Sequence, residues 1–189
     1  IPSADALKNM ESTLLAQGCT GFLATVATNS NEVVLAAIQA AKQWRPQSTG
    51  SFLGLHLEGP YISSERKGAH PEQYIKKATL AEVQQWVELS DNEIKMITLA
   101  PELQDADVIA YLVEHGIVLS SGHSNATYQQ AKSFLNNPIT AVTHLYNAMP
   151  PMHHREPGII AAIFEERPYT SIVADGIHVD YAMIRLAKR

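Results

Sequence analysis

Residues 94–124 read IKMITLAPELQDADVIAYLVEHGIVLSSGHS. The apolar runs at 94–99 and 117–121 have the length and β-branched content of buried strands, and the segment 107–115 between them has apolar residues at helical spacing. Parallel strands must be joined by a crossover, which is usually helical. This strand–helix–strand unit therefore predicts two neighbouring parallel strands in an α/β fold.

The same alternation continues on both sides of this unit. Further strands are predicted at 21–26, 52–57, 140–143 and 169–174, and further helices at 4–16, 32–44, 80–89, 127–135 and 180–188. Such alternation predicts a parallel sheet, either open and doubly wound or closed into a barrel. A barrel is favoured because polar or ionisable residues follow nearly every strand, namely Thr25, Thr28, Glu58, Glu102, His123, His144 and Asp175.

The predicted fold is thus a (β/α)8 TIM-type barrel, present as an incomplete barrel of about six βα units. A complete barrel of this type has eight strands and typically about 250 residues, whereas this chain has 189 residues and six predicted strands. We therefore expect residues 1–189 to be the central part of the barrel, with the last strands outside the chain. The Pro-rich stretch 149–158 is predicted to be a long loop after the fifth strand.

Composition argues against several other classes of protein. The net charge is −5 and the isoelectric point is about 5.9, with no basic patch, so nucleic-acid binding is not expected. No apolar run approaches the roughly 20 residues of a membrane-spanning helix, so no membrane association is expected. The single cysteine, Cys19, cannot form an internal disulfide, which fits a reducing compartment and predicts a cytoplasmic protein.

Glu58, His123 and His144 occupy equivalent positions, each at the end of an apolar strand. A lone histidine in a strand is more often a hydrogen-bonded core residue than a metal ligand. Three metal-competent side chains at one edge of a closed sheet must, however, lie close together. One carboxylate and two imidazoles form a ligand set typical of catalytic zinc, which leaves a position open for water. His56 shares a strand face with Glu58 and either supports the ligands or packs in the interior.

Five motifs carry a resemblance to a known family. They are HLEGP at 56–60 with KGAH at 67–70, GHSNAT at 122–127, THLYNAM at 143–149, REPG at 155–158 and ADGIHVD at 174–180. In this order and spacing they resemble N-acetylglucosamine-6-phosphate deacetylases of the amidohydrolase superfamily. The resemblance extends from near Gly18 to Arg189.

The resemblance implies an enzyme that hydrolyses the N-acetyl group of N-acetylglucosamine 6-phosphate. It implies that Glu58, His123 and His144 hold a divalent metal, Zn²⁺, with one ion or two left open, and that His70 binds the amide carbonyl oxygen. It further implies that the substrate phosphate is received by Asn147, the Ala148 backbone N–H and an arginine from a neighbouring subunit, as in a homodimer. That arginine corresponds to Arg155, and His178 corresponds to a residue that contacts the sugar or phosphate.

Some features of the resembled family are expected outside these residues. They are a small β domain, the first barrel strand with any His-x-His pair, and a later strand with the catalytic aspartate that acts as general acid and base. None of Asp91, Asp105, Asp107 and Asp180 follows a predicted strand in a suitable place, so the 189 residues alone are expected to be nearly inactive. Two alternatives remain open: another amidohydrolase, such as a deaminase or cyclic-amide hydrolase, and a non-catalytic sugar-phosphate-binding domain.

Overall fold

The computed structural model describes residues 2–188, in which six strands alternate with helices. The strands are β1 Phe22–Ala27, β2 Phe52–Glu58, β3 Ile94–Leu99, β4 Val118–Ser121, β5 Ala141–Val142 and β6 Tyr169–Thr170. The helices are α1 Ala4–Ala16, α2 Asn31–Trp44, α3 Leu80–Ser90, α4 Ala106–Glu114, α5 Tyr128–Phe134, α6 Gly158–Glu166 and α7 Tyr181–Ala187. Short 3₁₀ turns lie at Arg45–Gln47, Ser64–Arg66, Glu72–Tyr74 and Pro101–Leu103. Within this described range, no helix has both the length and the apolar character that crossing a membrane requires.

The six strands form one parallel sheet in the order β1-β2-β3-β4-β5-β6. Each strand pairs with the next one along the chain, and Glu58 at the end of β2 pairs with Ala27 of β1 and Thr98 of β3. An open doubly wound sheet reverses its strand order at a switch point, and no such reversal occurs among these strands. The α/β prediction is confirmed, and the topology is that of a barrel in which all carboxyl ends meet at one edge.

Side chains alternate across this sheet between an apolar outer face and a polar inner face. Leu55, Leu57 and Ile97 are about 1% exposed and belong to the core formed with the surrounding helices. The alternate residues on the same strands include His56 and Thr98, which are also buried. The interior of the barrel below the carboxyl edge is therefore polar, and its groups must satisfy one another by hydrogen bonds.

The carboxylate of Glu11 joins α1 to the segment between α2 and β2. Its Oε2 accepts a hydrogen bond from Trp44 Nε1 at 2.7 Å, and its Oε1 accepts from Ser48 Oγ, Thr49 N, Thr49 Oγ1 and Ser51 Oγ at 2.6–3.1 Å. Glu11 is 2% exposed. Burial alone would raise the pKa of this carboxyl, but the hydrogen bonds outweigh burial and lower the pKa to about 2.

The structure differs from the sequence predictions mainly in the last third of the chain. The helix α6 was not predicted, because its residues Ile159, Ile160 and Ile163 are all buried and the segment GIIAAIFEE lacks a polar face in its first two turns. The predicted loop 149–158 consequently ends where α6 begins. Strand β6 is shorter than predicted, although Ser171 N still donates to Val142 O and extends the pairing with β5 by one residue.

Candidate metal centre

Glu58, His123 and His144 converge at the carboxyl edge of the sheet. Glu58 is the last residue of β2, whereas His123 and His144 each lie two residues beyond a strand, β4 and β5 respectively. The two Nε2 atoms lie 3.1 and 3.0 Å from Glu58 Oε1 and 3.0 Å from each other. The structure therefore brings the three residues together as a nearly equilateral triangle of potential ligand atoms, which we call the donor triangle.

The donor triangle has the size and chemistry to hold a divalent metal ion. Ligand atoms about 2.0–2.1 Å from a tetrahedral zinc ion lie about 3.3 Å from one another, close to the separations of 3.0–3.1 Å found here. Two imidazole nitrogens and a carboxylate oxygen suit zinc and several other divalent metals.

The backbone and a neighbouring loop orient His123 for this purpose. His123 Nδ1 donates a hydrogen bond to Arg66 O at 2.8 Å, so the neutral ring carries its lone pair on Nε2, the atom in the donor triangle. His123 and His144 have φ values of +50° and +41°. This is the left-handed region, which residues other than glycine adopt at a cost of about 1–3 kcal/mol. The ring of His123 is thus fixed by its hydrogen bond to Arg66 O, whereas His144 Nδ1 is buried with no hydrogen-bond partner among residues 2–188.

The charge state of Glu58 also suits a metal ligand. When no cation is bound, hydrogen bonds from protonated Nε2 atoms of His123 and His144 hold the pKa of Glu58 well below its usual range, even though burial acts in the opposite direction. A lowered pKa keeps the carboxylate ionised at and well below neutral pH. Glu58 therefore offers a full negative charge to a cation in the donor triangle.

His70 lies beside the donor triangle, in the loop of residues 59–79 that joins β2 to α3. Its Nε2 is 3.9 Å from Glu58 Oε1, and its Nδ1 is 2.7 Å from Thr28 Oγ1. Glu58, His70 and His123 form a second possible ligand set whose donor atoms lie within 4.8 Å of one another. We favour the set with His144, because its shorter separations match a single first coordination sphere. Burial lowers the pKa of His70, and the adjacent His123 acts in the same direction, so the ring is neutral at neutral pH.

Comparison with known proteins identifies the family. A family model described as "Amidohydrolase family" matches residues 3–189. The chain belongs to the amidohydrolase family. This membership implies a divalent metal, and the match to solved structures confirms the barrel fold predicted from the sequence.

This amidohydrolase chain is similar to proteins named N-acetylglucosamine-6-phosphate deacetylase, which confirms the resemblance inferred from the five motifs. It is 37% identical to the protein of Haemophilus influenzae over 99% of this chain and 49% of the relative. The crystal structure of the Pasteurella multocida enzyme matches with a TM-score of 0.92 at 40% identity, over 98% of this chain and 49% of that chain. A Mycobacterium smegmatis mutant enzyme in complex with N-acetyl-D-glucosamine-6-phosphate matches with a TM-score of 0.82 at 35% identity, over 89% and 44%. The chain spans about half the length of the relatives it matches.

The residues predicted to contact the sugar or phosphate of the substrate lie in loops that follow β5 and β6. Asn147 and Ala148 come directly after the His144 turn; Ala148 has a φ of +52°, and the Asn147 side-chain nitrogen is buried with no hydrogen-bond partner among residues 2–188. Arg155 is exposed and lines a cavity of about 910 Å³. His178 is held by Asp175, with His178 Nδ1 2.6 Å from Asp175 Oδ2. Among the described residues, neither Arg155 nor His178 is hydrogen-bonded to the donor triangle, and their roles remain predictions.

Two residues that support the amidohydrolase site were not predicted to do so. Glu102 accepts hydrogen bonds from Ser124 Oγ and Asn125 N, both at 2.8 Å, and so fixes the loop that begins at His123. Burial raises the pKa of Glu102. Arg66 supplies the carbonyl that orients His123. Glu102 was recognisable as a polar residue after a strand, whereas nothing in the sequence indicates the backbone contact made by Arg66.

Proposed function

We propose that the full-length protein is a metal-dependent N-acetylglucosamine-6-phosphate deacetylase, which hydrolyses its substrate to glucosamine 6-phosphate and acetate. The observation that carries the proposal is the donor triangle of Glu58, His123 and His144, found in an amidohydrolase whose relatives bear that name. Support for the substrate comes from the M. smegmatis enzyme, whose mutant has a structure in complex with N-acetyl-D-glucosamine-6-phosphate.

In this proposal Glu58, His123 and His144 are the protein ligands of a zinc ion. When bound, a divalent ion supplies Lewis-acid chemistry, since it polarises an amide carbonyl and makes water more acidic. Glu58 contributes the negative charge, and the hydrogen bond from His123 Nδ1 to Arg66 O keeps Nε2 free for coordination. The residues of this chain thus prepare the site before substrate binds.

His70 is proposed to donate a hydrogen bond to the amide oxygen of the substrate. Its Nδ1 is 2.7 Å from the hydroxyl of Thr28, which is 3.2 Å from the carbonyl oxygen of Glu58. The Thr28 hydroxyl donates to this carbonyl oxygen, so a proton on Nε2 of the neutral His70 ring requires the hydroxyl to turn and donate to Nδ1 instead. Nε2 is the nitrogen that faces the donor triangle and could stabilise negative charge that develops on the amide oxygen.

The substrate phosphate is proposed to bind beyond the donor triangle. The buried side-chain nitrogen of Asn147 is a hydrogen-bond donor with no partner among the described residues, and the left-handed Ala148 follows it in a tight turn. Arg155 offers a planar guanidinium, which matches phosphate geometry. His178 completes the set, because its contact with Asp175 through Nδ1 leaves Nε2 available to the sugar or phosphate.

The direct test is acetate release by the zinc-loaded full-length protein. N-acetylglucosamine 6-phosphate should be hydrolysed, activity should disappear after treatment with a chelator, and added Zn²⁺ should restore it. A metal-loaded, folded protein that releases no acetate from this substrate would refute the proposal. Ammonia release from an amino-substituted heterocycle, or opening of a cyclic amide, would instead indicate a different amidohydrolase reaction.

Replacing Arg155 by alanine should weaken binding of the phosphorylated substrate selectively. A charge-assisted hydrogen bond contributes about 1.5–3 kcal/mol, so we expect KM for N-acetylglucosamine 6-phosphate to rise about 10- to 100-fold. KM for unphosphorylated N-acetylglucosamine should change little. Steady-state kinetics on both substrates measures the difference.

The matched control for this variant is Arg185→Ala, which removes an exposed arginine from α7. It changes net charge by the same amount and should leave both KM values near those of the wild type. If Arg155→Ala raised KM equally for the two substrates, Arg155 would not be a ligand of the substrate phosphate.

Mixing two impaired variants, assayed at a substrate concentration far below the KM of Arg155→Ala, tests whether Arg155 acts in the neighbouring subunit of a homodimer. A subunit with Arg155→Ala keeps its ligands, and a subunit with Glu58→Gln keeps its arginine, so a mixed dimer contains one complete site. After unfolding and refolding together in equal amounts, activity should return to about a quarter of the wild-type value, the statistical share of complete sites in a two-fold dimer. No recovery from a mixture that contains mixed dimers would show that Arg155 does not act across subunits.

We also propose that the catalytic general acid and base lies outside residues 1–189. The four candidate aspartates are associated with helices: Asp91 follows α3, Asp105 and Asp180 precede α4 and α7, and Asp107 is in the first turn of α4. Among residues 2–188 none of the four is hydrogen-bonded or ion-paired to Glu58, His123 or His144, and Asp105 and Asp180 are engaged elsewhere, with Lys77 and with Ala182 N. The 189 residues alone are therefore expected to be nearly inactive.

A further inference from the structure

We infer that Thr98 is a positioning residue that sets the spacing of the donor triangle. Thr98 is a fully buried residue of β3 that contributes no ligand itself. It contacts a residue next to, or two positions from, each of the three ligands. The inference rests on the proposed metal site and adds to it a residue on which the ligand geometry depends.

On the side of Glu58, Thr98 makes two contacts. Its backbone oxygen accepts a hydrogen bond from Gly59 N at 2.9 Å, immediately after the ligand. Its Oγ1 is 2.7 Å from His56 Nε2, on the same strand face as the ligand. The other ring nitrogen of His56 is 3.0 Å from Thr25 Oγ1. His56 is thus a fully hydrogen-bonded interior residue that connects Thr98 to β2 and β1.

On the side of the two histidines, the methyl group and the hydroxyl of Thr98 each contact a residue that precedes a ligand. The methyl group lies so close to Gly122 that a Cβ atom on that glycine would be 2.5 Å from Thr98 Cγ2, and Gly122 directly precedes His123. The hydroxyl is 2.7 Å from Thr143 Oγ1, and Thr143 directly precedes His144. Thr143 Oγ1 is in turn 2.7 Å from Ser120 Oγ.

These contacts form a chain of hydrogen bonds across the interior of the barrel, directly below the ligands. Four contacts join Thr25, His56, Thr98, Thr143 and Ser120, and Thr98 is the middle member. If the Thr98 hydroxyl were removed, Thr143 would keep Ser120 as a hydrogen-bond partner, but His56 Nε2 would be left buried and unpaired. Because such a group is unfavourable, His56 would move, and β2 with Glu58 would lose its link to the strand that precedes His144.

The test compares Thr98→Val with Thr98→Ser in the full-length protein. Valine keeps the shape and the methyl group but removes the hydroxyl, whereas serine keeps the hydroxyl. Zn²⁺ affinity is measured by competition with a chromophoric chelator, and ligand geometry by the visible absorption spectrum of the Co²⁺-substituted protein. We expect Thr98→Val to weaken Zn²⁺ binding about 10- to 100-fold, as loss of groups that orient ligands does, and to alter the Co²⁺ spectrum. Thr98→Ser should keep the Zn²⁺ affinity and the Co²⁺ spectrum of the wild type.

Ser90→Ala is the control for a general loss of stability, since Ser90 is a buried hydroxyl in α3 that bonds to Val87 O. It should leave Zn²⁺ affinity and the Co²⁺ spectrum unchanged. Thr143→Val removes the same hydrogen bond from the other side and must weaken Zn²⁺ binding too, which keeps the inference testable if Thr98→Val does not fold. Wild-type affinity and spectrum in Thr98→Val, or an unchanged affinity in a folded Thr143→Val, would overturn the role of Thr98. Absence of Zn²⁺ binding by the wild type would instead overturn the metal site itself.

Discussion

The full-length protein with Glu58→Gln is expected to be purified with little bound zinc and with kcat/KM lowered about 1,000-fold. Glutamine has nearly the same shape but no charge, so the donor triangle loses its anionic member. Loss of Lewis-acid catalysis removes several kcal/mol of transition-state stabilisation, and about 4 kcal/mol corresponds to three orders of magnitude in rate. Metal analysis and steady-state kinetics on N-acetylglucosamine 6-phosphate measure the two effects.

Glu72→Gln is the matched control for this prediction. Glu72 lies in the 59–79 loop that follows Glu58, where its carboxylate forms an ion pair with Lys67 at 2.7 Å and its side chain is 66% exposed. Such surface pairs contribute little to stability, so the control should keep its zinc and its activity. Retention of stoichiometric zinc by Glu58→Gln, with the control behaving as expected, would exclude Glu58 as a ligand.

The variant Glu11→Gln is expected to lower the free energy of unfolding at pH 7 by about 3 kcal/mol, because five hydrogen bonds converge on a buried carboxylate and an amide cannot accept them all. In glutamine an NH₂ group replaces one of the two carboxylate oxygens, so its N–H groups would face groups that are themselves hydrogen-bond donors. Chemical denaturation measures the loss. A difference below about 1 kcal/mol would mean that neighbouring groups rearrange to satisfy these donors.

The effect of Glu11 should depend on pH in a defined direction. The folded-state pKa is lowered from the ordinary value of 4.5 to about 2, so the unfolded chain binds a proton first as pH falls. The contribution of Glu11 is therefore complete above about pH 4.5 and is lost progressively down to about pH 2. The difference between wild type and Glu11→Gln should shrink over this interval. The exposed Glu88→Gln in α3 serves as control, and a Glu11→Gln difference that stayed constant from pH 7 to pH 3 would contradict the assignment.

The fold was largely predictable because the hydrophobic pattern in most of the chain reflects local burial. Strand β3 was predicted with its observed bounds and β2 to within one residue, since each is an apolar run between clear helices. Helix α6 was not predicted because its sequence lacks such a clear pattern. Its isoleucines are buried against neighbouring elements, so the segment has no helical polar–apolar contrast in its first two turns.

The donor triangle could be anticipated because the carboxyl ends of parallel strands meet in a barrel, so strand-end residues far apart in the chain become neighbours. Of the supporting residues, Glu102 follows a strand and could be found in the same way, whereas Thr98 and Arg66 could not. Thr98 acts through a hydroxyl in mid-strand that has no distinctive pattern, and Arg66 acts through its backbone oxygen, which any residue possesses. Contacts of this kind depend on the three-dimensional course of the chain rather than on residue type.

The loop of residues 59–79 performs two tasks at once. It carries His70, and through Arg66 O and Ser63 N it also holds the ring and backbone of His123. In the proposed deacetylase, a library that randomises this loop to change the substrate preference would therefore select on metal retention and specificity together. A useful library would spare the turn at 63–66 and vary the remainder, so that altered preference is not mistaken for demetallation.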